Sequence, residues 1–218
     1  HSLSRRQRQM CIRDRLYADD MWDAVLEAGK KHNLMVIAPA HHRRIQAGIL
    51  SWGQDLDHEH NPFQCNLGYQ VSLSGKGEWA KKGDYIGKQA LEKMKADLKD
   101  GHKPYKLQLV GFEIGGKPID EYAPDFWLVS PGDGGDPCGF ITSPWYHPEK
   151  GKNIAMGYIP FDGTLNPNGF PKWELGKKFK VHLPDIYADE PGVPVDAVTV
   201  DVPFTESFNA NTREVVKG

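Results

Sequence analysis

Apolar residues recur at helical spacing near the start of the chain. The spacing predicts an amphipathic helix that begins at the acidic pair Asp19–Asp20 and ends in the basic run Lys30–His32. Acidic groups in the first turn and cationic groups in the last turn both favour a helix, because they complement the charges of its macrodipole. The apolar positions of this helix are Met21, Trp22, Val25 and Leu26.

The same spacing predicts two further helices within the first hundred residues. The second helix carries on one face the residues Ile45, Gly48, Ile49 and Trp52. The third runs from Asp84 to Asp100 and ends at Gly101, because glycine readily adopts the left-handed conformation that terminates a helix. Its predicted buried residues are Leu91, Met94 and Leu98.

Shorter segments are predicted between these helices. The apolar run Leu34–Ala38 indicates a buried strand that Pro39 ends. Gly53–Pro62 is a polar loop, and Val71–Leu73 is strand-like.

Beyond Lys103 the pattern changes to a period of two. Polar and apolar residues alternate from Lys106 to Gly111, which is typical of a half-buried strand. Turn-forming clusters at Ser130–Pro137 and Gly163–Gly169 separate the later apolar segments. Five further strands are predicted at Phe126–Val129, Cys138–Ser143, Ile154–Ile159, Phe179–Leu183 and Ala197–Val202. Short strands with such turns favour an antiparallel barrel or sandwich and a domain boundary near 100–104.

Composition excludes several classes of function. The 218 residues carry a net charge of -2, which gives no electrostatic reason to bind nucleic acid or an anionic membrane. No apolar run is long enough to predict a transmembrane helix. The three cysteines, an odd and scattered set, do not indicate a disulfide framework and favour a reducing cytoplasm.

The first fifteen residues stand apart from the rest of the chain. They contain five arginines and show no periodicity. A basic nucleic-acid-binding arm and a disordered leader are two interpretations. We favour a third, because Gln7–Arg15 (QRQMCIRDR) resembles a translated library adapter and such segments are excluded from fold reasoning. Native protein is then expected to begin near Leu16, without its true N-terminus.

Seven short motifs occur in order between Leu16 and Phe204: Arg44–Gly48 (RIQAG), Trp52–Asp55 (WGQD), Asn61–Gln64 (NPFQ), Gly83–Lys88 (GDYIGK), Gly139–Ser143 (GFITS), Asn153–Tyr158 (NIAMGY) and Val202–Phe204 (VPF). Together they resemble the motifs of the glycine-cleavage T-protein (aminomethyltransferase) superfamily. The resemblance implies an α+β fold, in which the C-terminal part of a folate-binding domain at 16–102 precedes an antiparallel β-barrel at 103–204. Residues 205–218 would form a tail.

Arg44 and Trp52 are the two candidate folate- or substrate-binding residues. The Arg44 guanidinium could hold a carboxylate of the folate tail bidentately, and a structural ion pair is an equal alternative. Trp52 could stack on a pterin or aminobenzoate ring, although its spacing from Ile45 makes core packing the stronger expectation. We identify no catalytic residue, because the resemblance places the catalytic aspartate upstream of Leu16.

Other candidate residues have stronger structural interpretations. His58-Glu59-His60 is expected to be a solvated loop, not a metal site, because two histidines at this spacing lack a third ligand. Cys65 and Cys138 have no nearby histidine to activate a thiolate. Thr142 and Ser143 are expected to form hydrogen bonds within the barrel, while Gly83 and Gly87 set a turn and a close helix contact.

Departures from the family pattern bear on the substrate. Pro39 and Asn61–Cys65 look more like dimethylsulfoniopropionate demethylases, and Ala40 replaces an arginine of the aminomethyltransferases. Gln46 and Gln64 replace glutamates common in both branches.

The resemblance therefore implies the C-terminal fragment of a tetrahydrofolate-dependent enzyme, inactive alone, that moves a methyl group from a small donor to folate N5. Its partner would be its own missing N-terminal domain. The alternatives are a glycine-cleavage aminomethyltransferase, a non-catalytic folate-binding protein, and a fused module of a flavin-dependent dimethylglycine or sarcosine oxidase.

Overall fold

The computed structural model of the protein describes residues 17–37, 40–71, 73 and 84–204. Two compact units are divided between residues 39 and 40. The first unit contains α1 (Ala18–Gly29), which continues into a 3-10 turn at Lys30–His32. Asn33 then adopts a left-handed conformation with φ 53°, and the chain leaves the helix. The first predicted helix is therefore confirmed.

Most of the apolar residues that the structure describes in this first unit are exposed. Trp22 on α1 retains 54% of its accessible surface, and Met35 retains 80%. The predicted buried strand Leu34–Ala38 is wrong, because residues 34–37 are exposed and form no strand. Within the described ranges no strand pairs with this run, and an isolated strand lacks the hydrogen-bonded ladder that stabilises it. Ala38 and Pro39 lie outside the described residues.

The second unit begins with α2 (His41–Gln46), which is shorter than the predicted second helix. Gly48 has φ +68°, Ile49 N–H donates to Arg44 O, and Gly48 N–H donates to Ile45 O. These bonds form a Schellman motif, which ends a helix at a left-handed glycine. The prediction that Ile49 and Trp52 continue the buried face is therefore wrong, and both side chains are exposed.

The described residues from 47 to 71 are mostly loop. The polar loop Gly53–Pro62 is confirmed, and a 3-10 turn follows at Gly68–Gln70. Val71 and Leu73 form no strand, contrary to the prediction, and Ser72 lies outside the described residues. The third predicted helix is observed as α3 (Lys88–Lys99). It starts later than expected because Gly87, with φ +90°, is not helical, and it ends before Gly101, with φ +83°.

All six predicted strands are confirmed, and together they form a closed antiparallel barrel. Their bounds are β1 (Leu107–Ile114), β2 (Trp127–Pro131), β3 (Gly139–His147), β4 (Lys152–Pro160), β5 (Lys178–Val181) and β6 (Val195–Val200). The strand order around the barrel is β1-β4-β3-β2-β5-β6, and β6 pairs with β1 to close it. The expected α+β fold with a barrel is thus observed.

Two faces of the barrel wall are buried. One face contributes Phe112, Ile141 and Phe179 to the largest apolar cluster. On the opposite face, Met156 and Tyr158 pack with Ile45 of α2. β4 is therefore buried almost throughout, from Asn153 to Ile159. This packing places α2 and the loop that follows it beside β3 and β4.

Two predictions about the organisation of the chain stay predictions. The first is the domain boundary near 100–104. The second is the non-native leader, which lies outside the described residues together with the tail at 205–218. Among the described helices, none is long and apolar enough to cross a membrane.

Candidate functional site

Residues from four of the recognised motifs meet in one buried polar network beside the barrel. Arg44 comes from α2, Gln54 and Asp55 come from the loop after it, and Ser143 comes from β3. Tyr158 of β4 joins the same network. Segments that lie up to 103 positions apart in sequence are therefore held together by hydrogen bonds.

The carboxylate of Asp55 is the centre of this network. Its Oδ1 accepts hydrogen bonds from Thr142 Oγ1 at 2.6 Å and Ser143 Oγ at 2.5 Å. Its Oδ2 accepts from Arg44 Nη1 at 2.7 Å and from the backbone N–H of Ser51 at 2.8 Å. The side chain has no exposed surface. These four donors therefore replace the hydrogen bonds to water that the carboxylate loses on burial. Thr142 Oγ1 also lies 3.1 Å from the carbonyl oxygen of Met156, so the predicted hydrogen bonding within the barrel is present for Thr142, whereas Ser143 bonds to Asp55 and Arg44 outside the barrel.

The guanidinium of Arg44 is bonded on every side. Nη1 donates to Asp55 and to the carbonyl oxygen of Ile49 at 3.2 Å, whereas Nη2 donates to Gln54 Oε1 at 2.9 Å and Ser143 Oγ at 2.8 Å. Nε points at Nδ1 of His41 over 3.4 Å. A folate carboxylate would have to displace one of these acceptors. Folate binding by Arg44 stays a prediction, and the ion pair named as its alternative is present.

Tyr158 joins the base of the loop to the barrel. Its hydroxyl donates to the backbone carbonyl of Asp55 at 2.6 Å and lies 3.4 Å from Cys65 Sγ. Burial, followed by the contact with Cys65, raises the pKa of Tyr158 well above its usual range. Burial also raises the pKa of the Cys65 thiol, so neither group is prepared to ionise near neutral pH.

Trp52 projects from a tight turn that this network supports. The Trp52 turn (residues 51–56) is closed by hydrogen bonds from Gly53 N–H to Leu56 O and from Asp55 N–H to Ser51 O. The indole retains 62% of its accessible surface and meets the ring of His58 edge-on, with centroids 4.9 Å apart. The expectation of core packing is wrong, because the helix ends before Trp52. Its role in binding stays a prediction.

His41, which the sequence motifs did not single out, also belongs to the network. Its Nε2 lies 3.1 Å from Arg44 Nη2, and its ring packs against Tyr122 and Trp145 with centroids 5.0 Å and 5.4 Å away. Burial, followed by the charge of Arg44, lowers the pKa of His41 below 6.5, although Asp55 opposes the change. The i, i+3 spacing of His41 and Arg44 on a helix was the signal that could have indicated this contact.

The remaining candidates lie outside the network or at its edge. His60 Nδ1 approaches Asp57 Oδ1 at 2.7 Å, and the described residues contain no group of three possible metal ligands. Gln64 is buried and accepts a hydrogen bond from Asn61 Nδ2 at 3.3 Å. Cys138 is half-buried, and burial raises the pKa of its thiol. Gly87 forms the predicted turn but makes no close contact, while Gly83 lies outside the described residues.

A cavity of about 310 Å³ lies away from this network. Its walls include Phe63, Tyr69, Phe170 and Trp173. Neither Arg44 nor Trp52 contributes to these walls.

Curated proteins of two kinds are similar to the chain in sequence. The aminomethyltransferase of Chloroherpeton thalassium is 28% identical over 153 residues, which are 69% of this chain and 37% of that protein. The aminomethyltransferase of Halothermothrix orenii is 29% identical over 147 residues, 66% of this chain and 36% of that protein. The dimethylsulfoniopropionate demethylase of Ruegeria pomeroyi is 29% identical over 166 residues, 76% of this chain and 38% of that protein. No protein-family model matches the chain.

A solved structure has a similar fold. The glycine cleavage system aminomethyltransferase T of Bartonella henselae aligns with a TM-score of 0.51 at 20% identity and covers 75% of this chain and 37% of its own. The chain spans between a third and two fifths of the length of these relatives. In sequence and in fold, the chain is therefore similar to the C-terminal part of the glycine-cleavage T-protein (aminomethyltransferase) superfamily.

Proposed function

We propose that this chain is the C-terminal part of a tetrahydrofolate-dependent transferase that moves a methyl group from a small sulfonium donor to folate N5. The observation that carries the proposal is the meeting of four motifs of the resemblance in the network around Asp55. Because these motifs are scattered in the sequence but joined in space, they support a fold and a binding surface that the chain shares with its relatives.

Methyl transfer of this kind depends mainly on alignment. Bound folate would supply N5 as the nucleophile: its lone pair would form the bond to the methyl carbon as the carbon–sulfur bond broke with its electron pair passing to sulfur, and the N5 proton would be released. Holding two reactants in line is worth up to ~10 kcal/mol in favourable cases. The residues of this chain act by binding, and the catalytic group is assigned to the preceding part of the full-length protein.

Trp52 is the proposed contact for a flat ring of folate. Its indole is exposed, while the turn beneath it is tied to Arg44 and the barrel through Asp55. An exposed aromatic side chain on a rigid base can stack without first being ordered. Arg44 would bind a folate carboxylate only by giving up Gln54 or His41, and its support of the turn is the simpler role.

The sulfonium donor is favoured over an aminomethyl donor by sequence features. Ala40 stands where the aminomethyltransferases carry an arginine, while Pro39 and Asn61–Cys65 follow the demethylase pattern. The aminomethyl reaction of the glycine-cleavage relatives is the alternative.

The chain alone is expected to have little or no activity. Its length relative to the curated relatives and the exposed apolar residues of its first unit support a missing N-terminal domain as its partner. Large apolar side chains exposed in such numbers are typical of an interface. Activity then belongs to the full-length protein, in a reducing cytoplasm.

A non-catalytic folate-binding protein is the second candidate function. Gln46 and Gln64 remove two carboxylates, and the Gln64 amide pairs with Asn61, where a glutamate would place a charge in a buried position. A module of a flavin-dependent dimethylglycine or sarcosine oxidase would require an upstream dinucleotide-binding motif.

The test uses the protein expressed from its complete reading frame. Calorimetry with tetrahydrofolate and assays of methyl transfer from dimethylsulfoniopropionate should show binding and turnover, and Trp52→Ala should weaken both. Tyr69→Ala is the matched control, because Tyr69 is an exposed aromatic residue outside the network. Binding without transfer from any sulfonium or amine donor would support the non-catalytic alternative, and absence of binding would contradict both.

A further inference from the structure

We propose that His41 is a positioning residue that holds the Trp52 turn through Arg44 and releases the turn when it is protonated. Any effect of this release on folate binding by Trp52 rests on the proposed function, whereas the coupling between His41 and the turn does not.

The contact between the two side chains requires a neutral imidazole. Arg44 Nη2 lies 3.1 Å from His41 Nε2, and Arg44 Nε lies 3.4 Å from His41 Nδ1. A guanidinium can only donate hydrogen bonds, and both Nη2 protons are already donated to Gln54 and Ser143. His41 Nδ1 therefore accepts the single proton of Arg44 Nε, which requires a neutral ring that carries its proton on Nε2. Protonation would turn the acceptor into a donor and place two cations in contact within a half-buried site.

The charged groups facing His41 do not remove this conflict. On its own helix the nearest charge is Arg44, and across from it lies Asp55 in the Trp52 turn. Tyr122 and Trp145, from the barrel side, present uncharged rings. The Asp55 carboxylate already accepts four hydrogen bonds and is not free to receive an imidazolium N–H.

Repulsion should move Arg44 and not His41. The imidazole is held between Tyr122 and Trp145, with centroids 5.0 Å and 5.4 Å away. Arg44 has a longer side chain, of which 16% is exposed. Its Nη2 and Nη1 donate to Gln54 and Asp55, so withdrawal of the guanidinium loosens both residues of the turn that carries Trp52.

A histidine titration by NMR from pH 8 to pH 4.5 tests this coupling without any ligand. Because His58 touches Trp52 directly, the measurements are made in a His58→Gln background. The His41 ring resonance should titrate below pH 6.5, in the direction set by burial and Arg44, and the Trp52 indole N–H should shift with the same midpoint.

Two substitutions make the result specific. In His41→Gln, whose amide oxygen can still accept from Arg44, the shift of the Trp52 indole at that midpoint should disappear. His42→Gln is the matched control, because His42 contacts Trp145 but has no hydrogen bond to Arg44, and the shift should persist. A His41 midpoint at or above 6.5, or separate midpoints for His41 and Trp52, overturns the proposal even if His41→Gln fails to fold. An unchanged Trp52 shift in folded His41→Gln overturns it as well.

Discussion

The Arg44 guanidinium donates a hydrogen bond of 2.7 Å to Asp55 Oδ2, and the Asp55 side chain has no exposed surface. Removing a carboxylate from water costs several kcal/mol, and this cost is offset only when charge and hydrogen bonds are both provided. Here α2 provides the charge, while the loop and β3 provide the other donors. The pair therefore joins three separate segments of the chain.

Replacement of Asp55 should destabilise the second unit strongly. Asp55→Asn leaves the Arg44 charge without its partner in a largely buried site, and breaking such a pair costs about 3–5 kcal/mol. Urea unfolding followed by circular dichroism measures the change. Asp57→Asn is the control, since the Asp57 side chain is half exposed, and its loss should be much smaller. Equal losses for the two variants would show that Asp55 is not the centre of the network.

Substitution at Gly48 should reveal both backbone strain and a collision. Gly48 has φ +68°, where a side chain costs roughly 1–2 kcal/mol, and an added Cβ would collide with Val202 Cγ1. Overpacking typically adds about 1–3 kcal/mol. Gly53 has φ +81° but nothing within 4 Å of an added Cβ. Gly48→Ala should therefore lower the free energy of unfolding more than Gly53→Ala. The reverse order would contradict the close packing of Gly48 against Val202.

Alkaline conditions should expose the role of Tyr158. Burial and the Cys65 contact raise the folded-state pKa of Tyr158 above its ordinary value of 10.0. Its contribution to stability is therefore fully present below pH 10 and is lost as the pH rises above it, because only the unfolded chain ionises there. Tyr158→Phe should be less stable at neutral pH but should lose less stability between pH 9 and pH 11. Tyr122→Phe, at an exposed position, should follow the wild-type profile.

Trp52 should contribute little to the stability of the fold. Because 62% of its surface is exposed, Trp52→Ala is expected to change the free energy of unfolding by only about 0.5 kcal/mol. Phe63→Ala is the contrasting variant, because Phe63 is fully buried with Leu98 and Tyr105, and loss of a core phenylalanine costs about 3–5 kcal/mol. A large loss for Trp52→Ala in thermal unfolding would indicate that the indole packs against the protein.

The barrel was predictable because its pattern is local. Each strand carries its own alternation and is bounded by turn residues, and β1 and β4 were located to within a few residues of their observed ends. The run at 34–37 was not predictable in the same way, because an apolar run forms a strand only when another strand pairs with it. Likewise, helical spacing from Ile45 to Trp52 does not show that Gly48 ends α2 in a left-handed conformation.

The candidate site was only partly predictable from the sequence. Arg44 was identified with an ion pair as one of two interpretations, but its partner Asp55 could not be named, since the pairing depends on how the loop folds back. The involvement of Ser143 depends on the position of β3 around the barrel. His41 was missed because its i, i+3 spacing from Arg44 becomes informative only when the other groups that hold the guanidinium are known. These groups are Asp55, Gln54 and Ser143.

Closure of the barrel sets an order of events during synthesis on the ribosome. Gly111 of β1 pairs with Val200 of β6. Likewise β2 pairs directly with β5, although β3 and β4 lie between them in the sequence. While β1 to β4 emerge, the free edges of β1 and β2 therefore have no partners, and exposed edges of this kind promote association with other chains. Only when residues 195–200 have left the exit tunnel can the first strand be covered. A pause in translation before that point would prolong the interval in which the nascent chain is open to aggregation.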